Sequence, residues 1–594
     1  MLRGFRWQLF ALVVSAGIFM GMLLSRPSAN SFPTPPPTET ALPPTQSPPV
    51  TTAVMLSTPV TTTPTSYREA LVGTVERINP LFSLHNPNER DLVALIFEGL
   101  TATNDYGETV GALASNWVID STYTEYVFTL RGDVLWQDGT PFTARDVAFT
   151  IGIIQQPSFS GEPTLHDFWK TIEVQVLDDT HLRFRLVQPI GNFLDHLQLG
   201  ILPQHVFGEM DASAMATHPF NLSPIGTGRY QFAGIKGNDT IQQIELVAAP
   251  TYRNRPNQDA PFELERLTFH LFPTADLAKQ ALLDGKVDGL GLVESERISL
   301  VPHTQFNLNS TTLPHIGMIV FNWESGIEGQ PSVFREAQLR QALQRALDRT
   351  AIVGRNLYQT AVLTDWAVPL GSWMMTHDVP NYPTYNPSEA LRLIQTIELY
   401  PTPPPTDTEA VSADVTPETP PTPTVEPRRA FRFVVIDEAA YVNMATEISQ
   451  QWSAIGFNSE VIPLSPDEYR NRLSTRDWDI AIVEYQFDPT TDLYSFWDEG
   501  SFPNGQNMGG VANRDISEAL EAARSNPYSV NRKIYYGEFQ RVFVAEAIAL
   551  PLYAPLYTYA TSKTIEVSQL GYLGSLSDRF RHIQSWRIVP QATP

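Results

Sequence analysis

Two tracts rich in proline, threonine and serine decide which parts of this chain can fold. Many of its 49 prolines lie between Arg26 and Ser66, as in Pro33-Thr-Pro-Pro-Pro37, Pro43-Pro44 and Thr61-Thr-Thr-Pro64. A second set lies between Pro401 and Pro427, as in Pro401-Thr-Pro-Pro-Pro405 and Thr419-Pro-Pro-Thr-Pro423. Proline has no amide hydrogen to donate and a fixed φ, so such segments stay extended and cannot pack a core. The first is expected to be a disordered stalk, 26–66. The second is expected to be a disordered surface loop, 401–428, that interrupts the folded body. Loop-closure entropy grows only slowly with length. Replacing the loop by a short Gly/Ser link is therefore expected to move the melting temperature by less than about 5 °C.

Ahead of the stalk, Arg3 and Arg6 precede an apolar run from Leu9 to Leu24. Its length lies between a signal-peptide core and a short spanning helix. Pro27-Ser28-Ala29 is a poor cleavage site, because proline stands where a small residue is wanted. Residues 1–25 are thus expected to be a signal sequence or a membrane anchor, and cleavage stays open. The positive charge before the run puts the rest of the chain on the extracytoplasmic face, periplasmic or cell-surface.

In the remaining body, hydrophobic residues at 42% of the whole chain and aromatics at 11% supply a sizeable core. The net charge of −24 repels phosphate backbones, so nucleic acid is not an expected partner. With no cysteine, there is no disulfide, thiolate metal site, cysteine nucleophile or lipid-modified cysteine. Strand alternation recurs at Tyr126–Arg131, His181–Leu186 and Leu267–Leu271, each with one apolar face. Helical spacing covers Glu89–Leu100, Ala275–Asp284, Glu336–Asp348 and Asn531–Ala547. Asp138-Gly139 predicts a turn, and Thr143 with Asp146 predicts a capped helix running through Ile151. On the helix over Leu339–Arg349, the expected apolar face is Leu339, Ala342, Leu343, Ala346 and Leu347, with Arg340, Asp348 and Arg349 off it. The fold class is α/β.

Signatures of catalysis are missing. There is no His-Glu-x-x-His helix, Gly-x-Ser-x-Gly elbow, Ser-x-x-Lys or phosphate-binding Gly-x-x-x-x-Gly-Lys-Ser/Thr. The histidines lack ligand spacing, Gly226-Thr-Gly228 reads as a tight turn, and Asp477 with Asp479 reads as a solvated pair. Neither a catalytic role, a metal nor a cofactor is expected.

Several blocks recur in a fixed order: Asn79-Pro80, Ile96-Phe-Glu-Gly-Leu100, Leu113-Ala-Ser-Asn-Trp117, Tyr126–Arg131, and Trp136-Gln-Asp-Gly-Thr-Pro-Phe-Thr-Ala-Arg-Asp-Val147. They continue with Ile225-Gly-Thr-Gly-Arg-Tyr230, Ala281–Asp288, Phe321-Asn322, Leu339–Leu343 and Ala346–Arg349. This order resembles the peptide/nickel/opine class of ABC-transporter solute-binding proteins, solute-binding protein family 5, from about Val72 to Trp586. The resemblance implies a two-lobed periplasmic-binding-protein-like fold of class II, with mixed sheets, a hinge and an extra third subdomain, following the N-terminal membrane segment. Mapped here, a family domain would span 67–594. Lobe I would be 67–92, 204–310 and 555–594, subdomain II 93–203, and lobe III 311–554. The implied function is capture of a peptide or another small solute, by a monomer, for ABC permease subunits driven by cytoplasmic ATPases. Which solute stays open, since such proteins take peptides, nickel complexes, sugars and opines. A stalked surface hydrolase and a structural surface protein are the alternatives, and both are disfavoured by the Asp-Gly-Thr-Pro block.

By position in the family pattern, the ligand groove would be lined by Leu84, His85 and Asn86, by Asn322 and Trp323, and by Glu484, Tyr485, Gln486 and Asp488. Asn322 ends an apolar strand and either faces the gap between lobes or caps a turn, while Trp323 either lines the groove or packs the lobe. Tyr485 stands near the family's usual tryptophan. Asp488 follows Asp479 at the distance of the aspartate that pairs with a peptide's α-amino group. Pro489-Thr490-Thr491-Asp492 departs from the family's aromatic-x-Asp/Glu-Pro, so Asp492 is the alternative anchor and Asp488 can also be a turn aspartate.

Overall fold

The computed structural model describes residues 65–589 apart from 239, 257–261, 293–299, 301–302, 327–330, 377 and 398–429. The expected membrane segment, almost all of the stalk and the proline loop 401–428 lie outside the described residues. Among the described residues, no helix is long and apolar enough to cross a membrane.

The alternating segments form the strands Glu125–Leu130, His181–Arg185 and Arg266–Phe272. The first two pair antiparallel within a four-stranded sheet that also holds Ala114–Ile119 and Glu173–Val176. This sheet lies within residues 93–203, the stretch called subdomain II, and lobe I and lobe III likewise denote the stretches 67–92, 204–310 and 555–594, and 311–554. Its inward residues Tyr126, Phe128, Leu182 and Phe184 are fully buried, and the register sets Tyr126 against Phe184 and Phe128 against Leu182. The helix Ala144–Gln155 packs beside it and starts with the expected capping box between Thr143 and Asp146. Asp146 does a second job, because its Oδ1 accepts the Gln204 amide at 2.9 Å.

The other two lobes share one twelve-stranded mixed sheet. Its joint is the thirteen-residue strand Leu550–Ser562. The C-terminal half of that strand pairs with Gly289–Leu292 and Phe306–Thr312, on the side that continues into Ser66–Val72 and Arg266–Phe272. Its N-terminal half pairs with His315–Phe321, which continues into Ile480–Gln486 and Phe431–Ile436. The chain thus crosses between the lobes within this strand, and again between Thr312 and His315. Among the described residues, the two larger of three cores follow the same division. One gathers Tyr67 through Phe269 with Tyr557 through Trp586, so lobe I and subdomain II pack as one body. The other gathers Ile316 through Tyr553. The third, from Ala70 through Phe306 with Ala560, lies within lobe I.

The helical segments occur as Pro87–Ile96, Ala275–Leu283, Ala337–Arg345 and Ser529–Ala545. The apolar positions Leu339, Ala342, Leu343, Ala346 and Leu347 are buried as expected, but the helix ends at Arg345 and Arg349 opens the next one, Arg349–Asn356, and both Arg340 and Arg349 are buried. Arg340 is 0% exposed, lies 4.1 Å over the Trp323 ring, and donates to the carbonyls of Phe334, Arg335 and Ala547. Arg349 donates to the carbonyls of Thr364 and Pro551 and stacks on Tyr382. A guanidinium off the apolar face can still be buried once backbone oxygens fill its fork.

Gly226 and Gly228 are more than a tight turn. They bring the chain against the C-terminal end of the helix Pro87–Ile96, where Gly228 N donates to Ile96 O at 2.8 Å. A Cβ on Gly226 would stand 1.8 Å from the Ile96 oxygen, and one on Gly228 would stand 2.6 Å from the Leu95 oxygen. Gly226→Ala is expected to destabilise the body by about 1–3 kcal/mol, because the neighbour is backbone and cannot rotate away. Urea unfolding of the two proteins checks this. Equal midpoints would show that the turn gives way.

Candidate functional site

Lobe III meets subdomain II along a seam. Subdomain II contributes the hairpin around Thr101–Gly111 and the short helix Phe193–His196. Lobe III contributes the loop after the strand Ile480–Gln486 and the junction between the helices Arg514–Arg524 and Ser529–Ala545. Backbone and amide contacts stitch them together. Gly191 N donates to Arg524 O at 2.6 Å, Asn192 Nδ2 to Thr490 O at 2.5 Å, and Trp373 N to Tyr106 O at 2.8 Å. Gly191 is required there, since a Cβ would lie 2.5 Å from the Ala523 oxygen.

At the centre of the seam, Arg532 Nη1 lies 3.1 Å from Asp195 Oδ2, and both side chains are 8% exposed. Thr109 donates its hydroxyl to Asp195 Oδ1. Burial pushes the Asp195 carboxyl up, while Arg532 pulls it back down. Burial works against the Arg532 charge, yet Tyr536 and Asp195 raise its affinity for the proton overall, so it stays a cation. The guanidinium carbon also lies 4.9 Å over the Trp373 ring.

Beside the pair, a cavity of about 170 Å³ is walled from one side by Thr109, Trp117, Ile119 and Leu194 and from the other by Trp373, Pro527, Tyr528 and Val530. A larger depression of about 500 Å³ runs between the helix Ala144–Gln155 and residues 204–211. Its lining comes from subdomain II and from the second segment of lobe I, and lobe III contributes no residue to it.

Asp488 faces this seam. Its charge acts on Asp195 and His196 of subdomain II and on Tyr572 of lobe I. His196, stacked on Phe168 at 3.6 Å, is pushed down to about 4 by burial. Asp488 also holds its own loop, accepting the Thr490 amide and hydroxyl at 2.7 and 2.6 Å. Asp492 is half-buried, caps Tyr494 N at 3.1 Å and pairs with Arg524 at 3.0 Å. Burial raises its carboxyl against that guanidinium.

The other sequence-selected residues sit elsewhere. Asn322 is 1% exposed, and its amide donates to Arg476 O and Trp478 O while its Oδ1 accepts Glu324 N, which is the capping arrangement. Trp323 packs beneath Arg340. Tyr485 is buried against Phe496 and Trp497, so it presents no open wall here. Glu484 accepts from Tyr553 at 3.2 Å and pairs with His315 at 3.0 Å, and Gln486 is exposed. Leu84 is exposed, His85 pairs with Glu162 at 2.5 Å, and Asn86 caps the helix Pro87–Ile96. None of these ten residues lines the cavity. Asp195 and Arg532 escape sequence reading because their meeting depends on tertiary closure across 337 positions. Among the described residues, no group of three or more histidine, cysteine or acidic side chains could hold a metal.

The family model for bacterial extracellular solute-binding proteins, family 5 Middle, matches residues 108–507. The oligopeptide-binding protein AppA of Bacillus subtilis is 25% identical over 291 residues, covering 48% of this chain and 50% of that protein. The chain spans about half the length of the first of the curated relatives it matches. Among solved structures, NikZ from Campylobacter jejuni in complex with Ni(L-His) aligns with TM-score 0.60 at 22% identity, over 88% of this chain and 99% of NikZ. HbpA2 from Haemophilus parasuis aligns with TM-score 0.69 at 17% identity, over 85% and 98%. These likenesses establish the shared two-lobed mixed α/β fold.

Proposed function

Because the chain belongs to the bacterial extracellular solute-binding proteins of family 5, we propose that it is the extracytoplasmic substrate-binding component of an ABC transporter, capturing a peptide-like solute between its lobes. The observation that carries this is the seam itself: two lobes joined by two chain crossings, meeting around a cavity to which both contribute. Such a joint allows hinge closure over a ligand, and clefts between lobes are where small-molecule sites concentrate. The name of AppA, an oligopeptide-binding protein, favours a peptide among the solutes. Permease subunits and their ATPases would supply the channel and the energy. The apolar run Leu9–Leu24 would hold the protein at the membrane or direct its export. The role is carriage without catalysis.

Asp488 is the anchor proposed for the α-amino group. Asp492 already has Arg524 as its counter-ion. Asp488 has no ion pair among the described residues, its carboxylate being held only by the Thr490 amide and hydroxyl, so it keeps its charge for an ammonium. Asp488→Asn is expected to weaken binding of a free-amine peptide roughly 10–150-fold. N-acetylated peptide should bind poorly to both proteins. Calorimetry giving equal affinities for parent and variant would remove Asp488 from this role.

A further inference from the structure

We infer that the seam cavity is a subsite for one uncharged, apolar side chain of the ligand, which deepens the proposed function and rests on it. At about 170 Å³ the cavity is well below the roughly 300–1,000 Å³ of sites that hold whole small-molecule ligands. It therefore fits one side chain. Its apolar walls are Trp117, Ile119 and Leu194 from subdomain II and Trp373, Tyr528 and Val530 from lobe III, with the hydroxyls of Thr109 and Ser529 at the edge. Two charged side chains border it, and they neutralise each other: Asp195 takes Arg532 on one oxygen and the Thr109 hydroxyl on the other. An ammonium entering this space would leave water with no free carboxylate to meet it, and a carboxylate would have to compete with Asp195 for the Arg532 guanidinium, so both are disfavoured. An aromatic or branched aliphatic side chain would replace water against apolar walls instead. Because the walls come from both lobes, the subsite is complete only when the seam is closed. Filling it therefore stabilises the closed form.

The test uses the full chain and calorimetry with the peptides Ala-X-Ala, where X is Gly, Leu, Phe, Lys or Glu. Leu and Phe are expected to bind about 10–100-fold more tightly than Gly, and Lys and Glu no better than Gly. Val530 is 73% exposed, so Val530→Asp is expected to fold and to reduce the Leu and Phe preference at least five-fold, estimated from the loss of apolar contact. Similar affinities for all five peptides would overturn the subsite while leaving peptide capture intact. A second arm soaks crystals with isobutanol, indole, butylamine and propionate. Isobutanol and indole occupying the cavity, with the charged pair excluded, supports the inference even if no peptide binds, an outcome that would count against peptide capture alone. Equal occupancy, or preference for the charged pair, overturns the inference.

Discussion

Arg579→Met is expected to destabilise the folded body by about 3–5 kcal/mol at pH 7, the range for breaking a buried ion pair from one side. Arg579 is 6% exposed and bridges two buried carboxylates. It reaches Asp91 at 2.5 and 2.8 Å and Glu69 at 3.1 Å. Ser577 donates to Asp91, and Tyr67 and Tyr559 both donate to Glu69. The network ties the first strand and the first described helix to the C-terminal segment, so its loss loosens both ends of lobe I. Burial already raises the Glu69 carboxyl above its ordinary value, with Arg579 opposing. Removing the guanidinium raises it further. A carboxyl with a raised folded pKa binds its proton more tightly folded than unfolded. The variant should therefore regain stability as the pH falls through that folded pKa. Urea unfolding at pH 7 and pH 5 measures both effects. A loss below about 1 kcal/mol at pH 7 would mean the carboxylates find other partners or are already neutral.

Arg532→Met acts on closure. In the closed seam it leaves Asp195 buried with only the Thr109 hydroxyl, whereas in an open form water can reach that carboxylate. Truncating one partner of such a pair across an interface costs about 2–5 kcal/mol. The closed population should fall by at least 30-fold, and ligand affinity by a similar factor. The chain has no cysteine, so single cysteines placed at Asp178 and Glu518, both exposed, give clean dye positions for energy transfer between subdomain II and lobe III. The variant should shift to lower transfer at saturating parent ligand concentration. Unchanged transfer and affinity would show that the backbone contacts at Gly191 and Trp373 close the seam unaided.

Much of the framework is legible along the chain because its causes are local. The Thr143–Asp146 capping box needs residues three apart, and the strands at Tyr126 and His181 need only alternation. Partnership is less legible. Asn322 stands at the end of a strand in either of its readings, and what decides its cap is Arg476 and Trp478, more than 150 positions on. Arg340 carries the charge of a surface residue, and only the carbonyls converging on it make burial tolerable. The seam is hardest to read, since Asp195, Trp373 and Arg532 belong to three distant segments with no shared pattern.

The central claim is that this protein captures an intact peptide-like solute between its lobes. Native mass spectrometry of the full chain, incubated with a defined mixture of free-amine peptides, tests it most directly. The expected result is a one-to-one complex with uncleaved peptides, enriched in those with an apolar side chain. Recovery of cleaved products, or no retained peptide at any concentration up to the millimolar range, would contradict it.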